Sequence, residues 1–277
     1  PRTHLLTSPA WAAHAFPPRL CHTPSLGAAH PPLWVRGTRR GCAVRAARRR
    51  GGVAGGSIAA VSQLRGWPSF PDVLPTFDPT DVPSAPHELF LSWLSEAGEH
   101  VLAPHAVTLS TVDPDGAPDA RVVILKDVDA AGFYVASSAD SPKGVQLDKD
   151  PRAALTFFWP GRGRQVRVRG PVSPCDPEVS AADFRARPPA SRAEGFVGRQ
   201  SEVLHDPAEL VTAGEEAQRR VDADPDLVPP GWTRYLVSPL AVEFWQARHD
   251  RRHVRLRYLR TENLHTGNRW HTELLWP

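Results

Sequence analysis

The chain has 277 residues and a formal net charge of +3, long enough to bury a real core in one or two domains. The charge is uneven: no Asp or Glu precedes Asp72, residues 1–71 hold ten of the thirty arginines, and the remainder carries 23 basic against 30 acidic residues. An acidic body argues against a general nucleic-acid surface, and no run of eighteen apolar residues is present to span a bilayer.

Residues 1–66 are rich in Ala, Arg, Pro and Gly, with RRGCAVRAARRRGGVAGG at their centre. Hydrophobic periodicity is weak there, so the segment is expected to be disordered. It reads either as an organelle transit peptide or as upstream sequence translated from a start set too early, with Val61 as an alternative start; the second is favoured. Residues 67–84 are expected to be a linker, and 85–277 the folded domain. Cys21, Cys42 and Cys175 show no ligand spacing and no disulfide framework, which suggests a reducing, cytoplasmic setting.

In SAPHELFLSWLSEAGEHV, residues 84–101, Phe90, Trp93, Leu94 and Ala97 follow i, i+3, i+4, i+7, the spacing of an amphipathic helix. Period-two alternation follows in HAVTLSTV, ARVVILKDV and FYVASS, separated by the turns DPDG and DAAG. Such runs predict antiparallel strands. SPKGVQLDKDP predicts a helix capped by Ser141 with Pro142 in its first turn. RAALTFFWP and RQVRVRGPV are two more strands, residues 176–223 read as three helices, and four strand-like runs close the chain. The pattern predicts a mainly β fold with added helices: an antiparallel barrel of six to eight strands, with helices inserted before the last ones.

No GxGxxG, Walker loop, HExxH or GxSxG is present, and the twelve histidines show no metal spacing. What stands out is basic. VEFWQARHDRRHVRLRY, residues 242–258, holds five arginines and Trp245. On an acidic body such a concentration suits a small anion site better than a long polyanion. Lysine is rare: Lys126, Lys143 and Lys149 only. Lys143 falls in the first turn of the Ser141-capped helix, where free N–H groups and a partial positive charge favour phosphate. In RVVILK, alternation places Arg121, Val123 and Leu125 on one face and Val122, Ile124 and Lys126 on the other. Gln165 offers an amide that both donates and accepts. For each of these residues the plain alternative is a solvated or packing role, and Arg248, Arg252 and Arg257 are read that way.

Five motifs in order, RVVILKDVDAAGFYVASSADSPKG, DPRAALTFFWPGRGRQVRVRGPV, RARP, GRQS and VEFWQARHDRRHVRLRY, resemble the pyridoxine/pyridoxamine 5′-phosphate oxidase family over residues 85–277. The resemblance implies a homodimeric split β-barrel with FMN at the interface. It further implies oxidation of pyridoxamine or pyridoxine phosphate to pyridoxal phosphate, with O₂ reduced to peroxide. Carried onto this sequence, Arg121 and Lys143 would hold the FMN phosphate. The stretch Arg121–Lys126, including Val122 and Val123, would line the flavin with Ala136 and Ser137. Gln165 would contact the flavin ring, and Gln200, Ser201, Trp245 and Arg255 would come from the partner subunit. Lys126, Arg187 and Ser191 would bind the substrate phosphate, and Arg251 and His253 would sit over the substrate ring as the catalytic pair. No metal is implied.

Four positions depart from that pattern. Pro142 replaces an Arg beside Lys143, Asp183 replaces a Tyr of the substrate-phosphate site, Val254 follows His253 where an Asp is usual, and the basic N-terminal segment is not recognisable. Two alternatives therefore stay open: a related FMN oxidase acting on an unphosphorylated B6 vitamer or a phenazine-type ring, and a split-barrel protein that binds flavin or pyridoxal phosphate without turnover.

Overall fold

The computed structural model describes residues 63–261 and 269–277, so the reading of residues 1–62 lies outside the described residues. Nine strands run through the described part: β1 (Ala106–Val112), β2 (Pro118–Val128), β3 (Phe133–Ser138), β4 (Arg152–Trp159), β5 (Arg164–Pro174), β6 (Trp232–Val237), β7 (Ala241–Gln246), β8 (Val254–Thr261) and β9 (Arg269–Leu274). All pair antiparallel. Strands β1, β2, β3, β6, β5 and β4 form a ring, closed by pairing of β4 with both β1 and β5. Closure removes the exposed edges an open sheet would carry. The barrel therefore has six strands, and β7, β8 and β9 extend the sheet outward from β5.

The inward positions alternate as the sequence pattern requires. Val107 and Leu109 on β1, Leu155 and Phe157 on β4, and Val166 and Val168 on β5 are buried. Helix α1 (Pro86–His100) plugs one end of this core. Its Phe90 is fully buried, 4.9 Å from the ring of Phe133 and 4.8 Å from that of Phe157. Trp93 packs edge-on against Phe77 at 5.0 Å and Phe244 at 5.2 Å. Each such side chain contributes about 2–3 kcal/mol by leaving water. The stretch expected to be a linker takes part in this packing: Phe77 and Val82 lie against the core, and the Tyr258 hydroxyl donates to Pro83 O at 2.9 Å.

Helix α2 (Pro142–Lys149) begins as expected, with the Ser141 side chain accepting from Gly144 N and Pro142 in the first turn. Between β5 and β6 lie α3 (Pro177–Arg185), α4 (Pro189–Val197) and α5 (Pro207–Ala223). The last two pack around Ala193, Ala217 and Val221. One local reading is corrected. The β2–β3 register shifts between Leu125 and Asp127, so Lys126 is the extra residue of a β-bulge and leaves the alternation that placed it with Val122 and Ile124.

Candidate active site

Arg121 stands near the start of β2, opposite the buried Leu109 of β1. Its guanidinium donates to Thr111 Oγ1 at 2.5 Å and Gln146 Oε1 at 3.0 Å, and it pairs with the Asp119 carboxylate. Gln146, buried on α2, also accepts from Thr111 Oγ1 at 2.5 Å and donates to Asp119 Oδ2 at 3.0 Å. Its signal was present in the sequence: Gln146 lies three residues after Lys143, one helical turn along the same face.

Lys143 is buried in the first turn of α2. Its ammonium donates to Gln200 Oε1 at 2.8 Å and Ser141 Oγ at 3.2 Å, and among the described residues it has no carboxylate partner. Burial, and then repulsion from Arg121, hold its pKa below the usual lysine range. Backbone crowds this turn closely: a Cβ on Gly144 would stand 2.3 Å from Ala139 O. A cavity of about 540 Å³ opens here, lined by Ser138, Ser141, Pro142, Gln146, Gln200 and Ser201. The strand carrying Ala136 and Ser137 leads directly into it, and Ser137 Oγ lies 3.4 Å from Ser141 Oγ. Asp140 and Glu202 also line the cavity, with Arg199. The part that fits a phosphate group is therefore the start of α2, where a buried cation without a carboxylate, Arg121 beside it and the Ser141 hydroxyl come together. Gln200 and Ser201, expected from the partner subunit, line this cavity within the single chain, and Gln200 bonds Lys143.

A second group lies on the outer face of the sheet. Register aligns Phe158 of β4, Gln165 of β5, Trp245 of β7 and Arg255 of β8 in one cross-strand row. The Trp245 ring is 4.9 Å from His253 and 5.7 Å from Phe70. His253 Nδ1 accepts from Arg248 N at 3.0 Å, which places the proton of the neutral ring on Nε2. Asp250 engages Arg248 and Arg252, each at 2.9 Å. Arg251 is held at φ 64° and makes no ion pair among the described residues. Arg251 and His253 line a cavity of about 350 Å³ together with Arg65, Trp67 and Phe70, residues that sequence reasoning passed over. Arg255 is already engaged, by Glu243 at 2.8 Å and by Trp276 O at 2.9 Å. Arg257 pairs with Glu273 rather than standing solvated.

The third group surrounds the bulge. Lys126 Nζ lies 3.9 Å from Asp183 Oδ1, and Asp183 Oδ2 accepts from Trp232 Nε1 at 3.1 Å. The Arg187 guanidinium carbon lies 4.3 Å from the Trp232 ring centre, and burial pushes its pKa down against the pull of Glu194 and Asp183. Ser191 follows one turn later on α4. Within the chain, the phosphate-type cavity and the Arg251–His253 cavity share no lining residue. No group of metal-ligating side chains occurs among the described residues, and no helix there is long and apolar enough to cross a membrane.

A closed antiparallel barrel with a hydroxyl-bearing cavity beside Lys143, and an aromatic–cationic row on its outer face, is the architecture of a split-barrel protein. Sequence models described as pyridoxamine 5′-phosphate oxidase and as the C-terminal dimerisation region of pyridoxine 5′-phosphate oxidase match residues 95–220 and 232–277. The chain belongs to the pyridoxine/pyridoxamine 5′-phosphate oxidase family. A relative of that name from Pseudomonas paraeruginosa is 38% identical over 200 residues, covering 71% of this chain and 91% of the relative. One from Bordetella petrii is 42% identical, covering 64% and 83%. Among solved structures, PhzG from Burkholderia lata 383, in complex with tetrahydrophenazine-1-carboxylic acid, is 30% identical with a TM-score of 0.67 and covers 76% of this chain and all of that one. A pyridoxamine 5′-phosphate oxidase-related, FMN binding protein from Nostoc punctiforme shares the fold, with a TM-score of 0.58 at 18% identity, covering 70% and 98%.

Proposed function

We propose that the protein is an FMN-dependent oxidase that converts pyridoxamine or pyridoxine 5′-phosphate to pyridoxal 5′-phosphate in B6 salvage, reducing O₂ to H₂O₂. The observation that carries this reading is the buried Lys143 ammonium, without a carboxylate and beside Arg121, bonded to Ser141 and Gln200, which line the hydroxyl-bearing cavity. FMN, when bound, supplies hydride acceptance and the passage of electrons to O₂. Lys143, Arg121 and the start of α2 hold its phosphate, and Gln146 keeps the Arg121 fork oriented.

The site is completed by a second copy. The outer sheet face leaves Val122, Ile124 and Phe158 exposed, and the dimerisation-region match covers β6 to β9. In this reading the Gln165–Trp245–Arg255 row flanks the flavin of the other protomer. Arg251, free of carboxylates, and His253, ordered by its Nδ1 bond, orient the substrate ring and stabilise charge developing on it. Lys126, Arg187 and Ser191 receive the substrate's anionic group.

A second reading, an oxidase of a phenazine-type ring, is supported by the likeness to PhzG. The assay that decides uses purified protein loaded with FMN and follows peroxide with pyridoxamine phosphate, pyridoxine phosphate, pyridoxamine and a reduced phenazine carboxylate. Peroxide from a B6 vitamer supports the first reading. Peroxide from the phenazine alone replaces it with the second, and FMN binding without peroxide from any compound leaves a non-catalytic flavin carrier.

A further inference from the structure

Around the bulge, the residue types promise two cations, but the structure compensates one of them. Lys126 Nζ faces Asp183 Oδ1 at 3.9 Å, and the Asp183 side chain is only 9% exposed. The hydrogen bond from Trp232 Nε1 fixes that carboxylate toward the lysine, so the pair is not a passing surface contact. Arg187 lies over the same indole ring, and its Nη1 is buried with no hydrogen-bond partner. Among the described residues Arg187 makes no ion pair. Glu194 and Asp183 both act on Arg187 from nearby, so the cluster holds two cations against two carboxylates. Arg187 is the cation without a direct ion pair, a planar fork open to one small group.

Resting on the reading of Lys126, Arg187 and Ser191 as the substrate's anion subsite, we propose that Asp183 is a specificity-determining residue. It pairs with Lys126, leaves Arg187 as the cation without a direct ion pair, and relaxes the subsite's selectivity for the phosphate dianion, so that the unphosphorylated form of the same ring binds about as well. A dianion placed here meets a fixed like charge at close range and gains little from a lysine already matched. A ring with no anion at this end avoids that repulsion and keeps the Trp232 face.

The test uses the FMN-loaded protein and two compounds that cannot be oxidised, 4-deoxypyridoxine and its 5′-phosphate, with binding measured by calorimetry. Wild type is expected to bind the two within about threefold of each other. Asp183→Asn, which keeps an acceptor for Trp232, is expected to tighten the phosphate ester by about tenfold and to leave the unphosphorylated ring within about twofold. Should that variant not fold, Lys126→Gln in the wild type serves: a loss of phosphate affinity below about twofold supports the proposal, and a loss of about tenfold overturns it. A wild type that already prefers the phosphate ester about a hundredfold, with a ratio unmoved by Asp183→Asn, also overturns it. If FMN binds but neither compound does, in wild type or variant, the subsite assignment falls while the flavin reading stands.

Discussion

The Lys143 ammonium is hydrogen-bonded to the Gln200 side-chain carbonyl at 2.8 Å, while its charged neighbour Arg121 repels it. A cation in that position is a cost to the free protein that a bound anion relieves. Lys143→Met is therefore expected to weaken FMN binding by about 10- to 100-fold while leaving the melting temperature of the flavin-free protein unchanged or higher. Flavin fluorescence titration and thermal unfolding of the apoprotein check the two halves.

The same lysine sets a pH dependence. Lysine carries its charge below its pKa, and burial together with Arg121 holds that pKa below the usual range. FMN affinity is expected to fall as pH rises, beginning below pH 10.5, the ordinary lysine value. Lys143→Met should abolish that slope. Titrations at stepped pH on both proteins measure it.

Gln146 connects Thr111, Arg121 and Asp119. Gln146→Leu removes an acceptor from two donors and leaves Arg121 to Thr111 and its exposed partner Asp119. The expected result is a stability loss of about 1–2 kcal/mol and FMN affinity lower by several-fold, read by denaturant unfolding and flavin titration.

Arg251 and Arg252 are adjacent, but Asp250 holds only Arg252. Arg251→Ala is expected to lower kcat/KM by about tenfold or more, whereas Arg252→Ala should stay within about twofold. Equal effects would remove the distinction between them. Steady-state peroxide assays on both variants decide.

Glu96 accepts from Arg162 and from the buried Arg164, each at 2.9 Å. Burial raises the Glu96 pKa, but the two guanidinium groups outweigh it and hold the carboxyl below the glutamate range. A carboxylate with a depressed folded pKa contributes stability above its unfolded pKa and loses it as pH falls through the folded value. Glu96→Gln is expected to cost about 2 kcal/mol near neutral pH, the lower range for a broken buried pair because Glu96 is part-exposed. The gap to wild type should narrow as pH falls below 4.5, the ordinary glutamate value. Urea unfolding at several pH values tests it.

Much of this architecture is legible in the sequence because it rests on local rules. Alternation gave the strands, the Phe90–Trp93–Ala97 spacing gave the plug helix, and Ser141-Pro142 gave the start of α2. Three features rest on non-local facts. The bulge at Lys126 follows from pairing between β2 and β3, not from the RVVILK pattern itself. The Lys126–Asp183 pair joins residues far apart in the chain. The packing of Phe70 on Trp245 lies in a stretch whose composition reads as a linker. The structure brings together residues that one motif holds in a run, such as Ser141, Lys143 and Gln146, whereas a single side chain such as Trp232 is brought in by the fold.

The most direct test of the account is reduction of the bound flavin in the absence of oxygen. Protein loaded with FMN is mixed anaerobically with pyridoxamine or its 5′-phosphate, and the visible flavin absorbance is followed. The account predicts that the band bleaches and returns when air is admitted, with peroxide formed in step. A flavin band that binds yet stays unchanged with both compounds would contradict it.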